Sequence, residues 1–214
     1  MIRVQSFRPP GPGWLEVELG KDEMDHLWKC IKNPIGDHKD RLIGKVSKSL
    51  SIPDNGGWFL KNTLSHLVEG YVKEFGDISR RVPVSNRHPY YLNGFWVNYQ
   101  NQYEYNPLHQ HTGIFSFVIW MKVPYTYEDQ MKLPWVRSNR ASDVGSFRFE
   151  YSNMLGEMSG HTYNMSSEME GKMLFFPSQL NHCVYPFYRC RKQRISISGN
   201  ISLNTSKIIE DLVE

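Results

Sequence analysis

Two histidines one residue apart, His109 and His111, precede a third, His182, and then a strand-like run, Arg194-Ile195-Ser196-Ile197-Ser198. On extended backbone residues i and i+2 point to the same side, so His109 and His111 can present two imidazoles to one metal ion. His182 follows the apolar run Met173-Leu174-Phe175-Phe176-Pro177, which reads as a neighbouring strand and turn able to deliver a third nitrogen. Arg194 and Ser196 share a strand face and offer a charged fork plus a hydroxyl, a combination suited to gripping a carboxylate. Three ligands, open coordination positions and a carboxylate anchor point to a non-haem iron site that takes a keto acid.

Plainer readings compete with each of these residues. His-x-His also occurs by chance on surface strands, and Arg194 with Ser196 also fits an amphipathic strand whose polar side faces water. The order of the whole set favours the metal reading. His26, His38, His66, His88 and His161 carry no such pattern and read as packed or surface residues. A rival places His111 behind the ligands and brings a carboxylate from Glu104, Glu128 or Asp129. No paired-carboxylate or Ser/His/Asp pattern is present, so nothing calls for a protein general acid or base.

At 214 residues the chain suits one domain, 1–214. Charged residues at 22% and hydrophobic residues at 40% are those of an ordinary globular protein, and 14% aromatic suits a sheet-based core with a lined pocket. A net charge of +3 shows no strong nucleic-acid signal, with Arg189, Arg191 and Lys192 only a local basic cluster. Three cysteines without CxxC spacing support neither a disulfide framework nor a structural zinc knuckle and fit a reducing compartment. The N-terminal Met1-Ile2-Arg3-Val4-Gln5 lacks a leader-like apolar core, and no run approaches the ~20 apolar residues that cross a bilayer. A cytoplasmic protein is expected, and an oligomer is compatible with these features.

Residues 1–89 read as a mainly helical scaffold. Met24, Leu27, Trp28 and Ile31 recur at helical spacing before Pro34, and a second short helix holds Leu42, Ile43, Val46 and Leu50. Leu60, Leu64, Leu67, Val68, Tyr71, Val72 and Phe75 form a third apolar face that stops at Gly76. From Tyr90 the texture changes to antiparallel strands: Gly94–Tyr99, Phe115–Val123, Ser146–Tyr151, Lys172–Phe176 and Arg194–Leu203. The result is an α+β chain, a double-sheet jelly roll over 90–206 braced by N-terminal helices. A long polar insert, 125–171, holds one convincing strand and is expected to cover the metal mouth.

The ordered set resembles the Fe(II)/2-oxoglutarate-dependent dioxygenases with their double-stranded β-helix core. In that superfamily His-x-Asp, a distal His and Arg-x-Ser lie in this order. More narrowly, Trp96-Val97-Asn98-Tyr99-Gln100, Asn106-Pro107-Leu108-His109-Gln110-His111, and Phe176-Pro177-Ser178 with His182 are similar to 2OG-Fe(II) oxygenases of bacteria and tailed phages, in which His-x-His replaces His-x-Asp. The resemblance implies metal ligands His109, His111 and His182, and cofactor contacts Arg194, Ser196 and Asn98. It implies Fe(II) as the metal cofactor, 2-oxoglutarate and O2 as co-substrates, and a hydroxylated prime substrate (a peptide, a nucleobase or a small metabolite) with release of succinate and CO2. A phage-encoded chain would work in the host cytoplasm. Two alternatives stay open: a three-histidine cupin-type oxygenase that needs no 2-oxoglutarate, and a non-catalytic jelly-roll protein with a vestigial metal site.

Overall fold

Two antiparallel sheets face one another, and helices cover the outer side of the larger one. The computed structural model describes Gln5, 11–139 and 143–209. Met1–Val4, read above for a leader, and residues 140–142 of the 125–171 stretch lie outside the described residues.

The N-terminal half brings β1 (Leu15–Glu18), α1 (Lys21–Lys32), β2 (Gly36–Asp37), β3 (Lys48–Ser51) and α2 (Ser65–Phe75). Helix α1 carries the predicted Leu27 and Ile31 face, and one π turn at Leu60–Leu64 leads into α2, which stops at Gly76 with φ 84°. The second short helix is not formed. Lys39–Arg41 makes a single 3-10 turn, Lys45 bridges to Tyr105, and Leu50 lies in β3 opposite Val97. Ladder pairing with a long strand outweighs the weak helical periodicity of that segment.

Next come β4 (Tyr90–Gln100), β5 (Asn106–His109), β6 (Phe115–Lys122), α3 (Tyr127–Met131), α4 (Pro134–Asn139), β7 (Phe147–Ser152) and β8 (Met158–Tyr163). The chain then runs through β9 (Lys172–Pro177), β10 (Asn181–Val184) and β11 (Arg194–Leu203). The large sheet has the order β1-β9-β6-β11-β4-β3-β2 and the small one β5-β10-β7-β8. Residues 125–171 are therefore not an insert: β7 and β8 are half of the small sheet, and β7 pairs directly with β10. Sequence reading missed β8 because Met-Ser-Gly-His-Thr-Tyr carries no apolar alternation.

Strand alternation decides what faces the interior. Phe117, Ile119, Met173, Phe175, Val97, Ile197 and Ile201 pack with Leu27, Phe59, Leu64 and Tyr71 beneath the helices. Their neighbours Val118, Trp120, Leu174 and Phe176 point the other way and meet Phe147 and Phe149 of the small sheet. With both faces covered, β6 is buried from Phe115 to Met121, hence its unbroken apolar run. The same period puts Trp96, Asn98 and Gln100 of β4, and Ser196 and Ser198 of β11, on the inner face. Pairing sets Ser196 opposite Asn98 and Arg194 opposite Gln100. At Gly199 a side chain would collide with the Phe117 ring and approach the Gly94 carbonyl to 2.7 Å, so β11 needs glycine there. Among the described residues no helix is long and apolar enough to cross a membrane.

Candidate metal centre

His109 ends β5 and His182 lies in β10, and the two are direct cross-strand partners. Their ring centroids are 4.2 Å apart. His111 lies just past β5, where its backbone N–H donates to the Ser178 carbonyl at 2.8 Å and ties this segment to the turn after β9. Its ring is 5.0 Å from each of the other two. One nitrogen from each residue lies within 4.8 Å of the others, a spacing that can hold one metal ion. No carboxylate joins this group among the described residues. Glu104 is occupied in accepting from the Ser47 and Asn101 backbone N–H groups at 3.1 and 2.8 Å, and Asp129 pairs with Lys132 at 2.8 Å.

Two backbone contacts set the tautomers. Nδ1 of His109 donates to the Pro107 carbonyl at 2.7 Å and Nδ1 of His182 to the Leu180 carbonyl at 2.9 Å, leaving each Nε2 with its lone pair. The Asn106 amide donates to His109 Nε2 at 3.0 Å. Phe147 and Phe176, with centroids 5.6 and 5.0 Å from His182, hold that ring in place.

Burial keeps these imidazoles neutral. It lowers His109 below 6.5 and His111 to about 4, and it pushes His182 well below 6.5, with the neighbouring imidazoles adding repulsion. Neutral imidazole is the form that binds metal. In the unfolded chain the same residues protonate near 6.5. The metal-free protein should therefore keep this contribution to stability above about pH 6.5 and lose it as pH falls toward about 4, because the unfolded chain then binds more protons. Urea midpoints at about pH 7, 5.5 and 4.5 measure this, and a midpoint that does not move would contradict it.

The cavity beside the histidines measures about 120 Å³ and is floored by Asn98, Gln100, Ser196 and Ser198. The exposed Arg41 and Ile43, with Leu42 and Val46, bring the N-terminal segment to its mouth, and Phe147 lines it from the 125–171 stretch. Two lining residues carry buried polar atoms without a partner, Trp96 Nε1 and Asn106 Oδ1. Such atoms belong to sites that meet a ligand or water.

Arg194 is 2% exposed. Its guanidinium is well satisfied by protein groups. Its Nε and Nη2 donate to Gln100 Oε1 at 3.2 and 2.5 Å, and its Nη1 donates to the Tyr125 hydroxyl and the Gly145 carbonyl at 2.5 and 3.0 Å. Every partner is neutral. No carboxylate pairs with Arg194 among the described residues, so its charge is buried uncompensated. Asn98 accepts from Ser49 Oγ at 2.8 Å while lining the cavity. Sequence reading assigned no role to Gln100, although it ends the Trp96–Gln100 motif, and missed Tyr125, which belongs to no motif and holds Arg194. Of the other histidines, His26 stacks on Trp58 at 4.6 Å, and none joins the cluster.

Residues 94–200 match the model of a family described as "Putative 2OG-Fe(II) oxygenase". No curated protein matches the chain. Among solved structures, a prolyl-4-hydroxylase from Pseudomonas putida is similar at 12% identity and TM-score 0.51, covering 90% of this chain and 94% of its own. A 2OG-Fe(II) oxygenase family oxidoreductase from Burkholderia pseudomallei is similar at 11% identity and TM-score 0.51, over 89% of this chain and 85% of that one. A Trichoplax adhaerens prolyl hydroxylase, solved with a hypoxia-inducible-factor peptide, gives 11% and 0.51 over 91% and 85%. At these identities the likeness is one of fold.

Proposed function

Because this chain belongs to the 2OG-Fe(II) oxygenase family, which works with Fe(II), 2-oxoglutarate and O2, we propose that it is a hydroxylase whose iron is held by His109, His111 and His182. The observation that carries this reading is the convergence of three neutral imidazoles on a cavity lined by Gln100 and Ser196, with the buried Arg194, which lacks a counter-charge, bonded to Gln100. When bound, Fe(II) and 2-oxoglutarate supply the oxidation: dioxygen places one atom in a C–H bond of the prime substrate, and the keto acid leaves as succinate and CO2.

This chain's residues bind, orient and exclude water. His109 and His182 offer Nε2 because backbone carbonyls hold their Nδ1 protons. With no carboxylate among them the ligands add no negative charge, so a dianionic keto acid compensates the metal better here than at a site that already carries an aspartate. Arg194 would take the distal carboxylate by exchanging Gln100 for it, with Ser196 as a further donor and Asn98 as a second polar contact, while the Tyr125 hydroxyl and the Gly145 carbonyl hold the guanidinium from its other side. Phe147, Phe176 and Val118 make the adjoining wall apolar and keep bulk water from the metal.

The test is an anaerobic titration of the Fe(II)-loaded protein with 2-oxoglutarate, followed by a visible charge-transfer band, and then by succinate formed on admitting O2. Both are expected. Dioxygen consumption without succinate would favour the keto-acid-independent three-histidine oxygenase, and neither band nor succinate would leave only a metal-binding jelly roll.

A further inference from the structure

Only two non-glycine residues among those described have positive φ, Tyr103 at 68° and Arg189 at 55°. They meet in one patch. Tyr103 packs edge-on to Tyr188 at 5.4 Å, Tyr188 edge-on to Trp135 at 5.7 Å, and Arg189 lies over the Trp135 ring at 5.4 Å. Tyr103 is 58% exposed and Trp135 42%, a large aromatic surface to leave in water. The patch is also rigidly built. Gln130, itself buried, clamps the Tyr188 backbone through both ends of its amide at 2.8 and 3.0 Å, and the Tyr103 N–H donates to the Phe187 carbonyl at 3.0 Å. Held backbone strain under exposed rings marks a surface kept for contact.

The patch leads to the cavity mouth. Two residues beyond Tyr103, Tyr105 is 44% exposed and pairs with Lys45, whose neighbour Val46 lines the mouth together with Asn106. The exposed cations along this line, Lys45, Arg189, Arg191 and Lys192, have no acidic partner among the described residues. Of the acids in these segments, Glu104 is buried on backbone amides, and of the two exposed acids on α3 Asp129 pairs with Lys132. Lys45 lies far in sequence from the local cluster Arg189, Arg191 and Lys192, and a net charge of +3 discloses neither.

We propose that this aromatic and basic track binds single-stranded nucleic acid. An acidic peptide would use the cations but leave the rings idle, and a proline-rich peptide would use the rings but leave the cations idle. A strand with an anionic backbone and flat bases uses both. Binding at the track is independent of the iron chemistry. That the strand reaches the mouth as prime substrate rests on the function proposed above.

The experiment is fluorescence anisotropy of a fluorescein-labelled oligothymidylate of about 15 nucleotides with the full chain, without added metal. Saturable binding that weakens with salt is expected, and Tyr103→Asn with Trp135→Ala should weaken it ~10-fold or more. Asparagine tolerates positive φ, and circular dichroism checks that the fold survives. Unlabelled oligothymidylate should displace the probe, while polyglutamate and a proline-rich peptide should not. Absence of binding, equal displacement by polyglutamate or by the proline-rich peptide, or unchanged affinity in the aromatic variant overturns the proposal. None of these outcomes bears on whether Fe(II) and 2-oxoglutarate bind.

Discussion

His111→Ala is expected to abolish retention of Fe(II), with affinity falling by more than the ~10–100-fold typical of losing a residue that merely orients a ligand. The reason is the size of the ligand set. One nitrogen each from His109, His111 and His182 share a 4.8 Å sphere of mutual distances, and no carboxylate among the described residues stands by to replace the missing one. Two imidazoles on a cross-strand pair would remain, too few for a stable site of this type. His111→Asp should behave differently, because a carboxylate restores a third ligand and adds a charge that the imidazole lacks. Iron content after desalting, measured for all three proteins, decides the matter. Full occupancy in His111→Ala would show that the ligand is elsewhere.

How far this site could be read in advance follows from where each residue sits. The five longer strands with alternating or continuous apolar runs were legible, and Arg194–Leu203 begins and ends where its pattern does. By contrast β5 and β10, which carry two of the histidines, are four residues each and show no periodicity in Asn-Pro-Leu-His or Asn-His-Cys-Val. Only the histidine spacing exposed them. The expected helix over Leu42, Ile43, Val46 and Leu50 failed because its apolar residues serve two surfaces: Leu42, Ile43 and Val46 line the cavity mouth and Leu50 pairs in the sheet. Pattern reading assigns such residues to one face. Tyr125 was invisible for a different reason, since its role depends on Arg194 and Gly145, 69 and 20 residues away, converging on its hydroxyl.

Arg194→Lys is expected to weaken 2-oxoglutarate binding by ~2 kcal/mol or more, roughly 30-fold, while Fe(II) binding stays nearly intact. In the fold the guanidinium spans three groups at once, with Gln100 on one side and Tyr125 and Gly145 on the other. A lysine ammonium is a point charge on a flexible stem and cannot reach both sides while presenting a planar fork to a carboxylate. The charge survives, so a role that needed only positive potential would survive with it. A role that needs two parallel N–H donors would not. Tyr125→Phe separates the two further: it keeps the guanidinium and removes one hydroxyl, so its loss should be the smaller, near the ~1 kcal/mol of a single hydrogen bond. Titrating the anaerobic charge-transfer band against 2-oxoglutarate in the three proteins gives the order directly. Equal affinity in the native protein and Arg194→Lys would mean that the buried arginine supports the sheet and does not hold the keto acid.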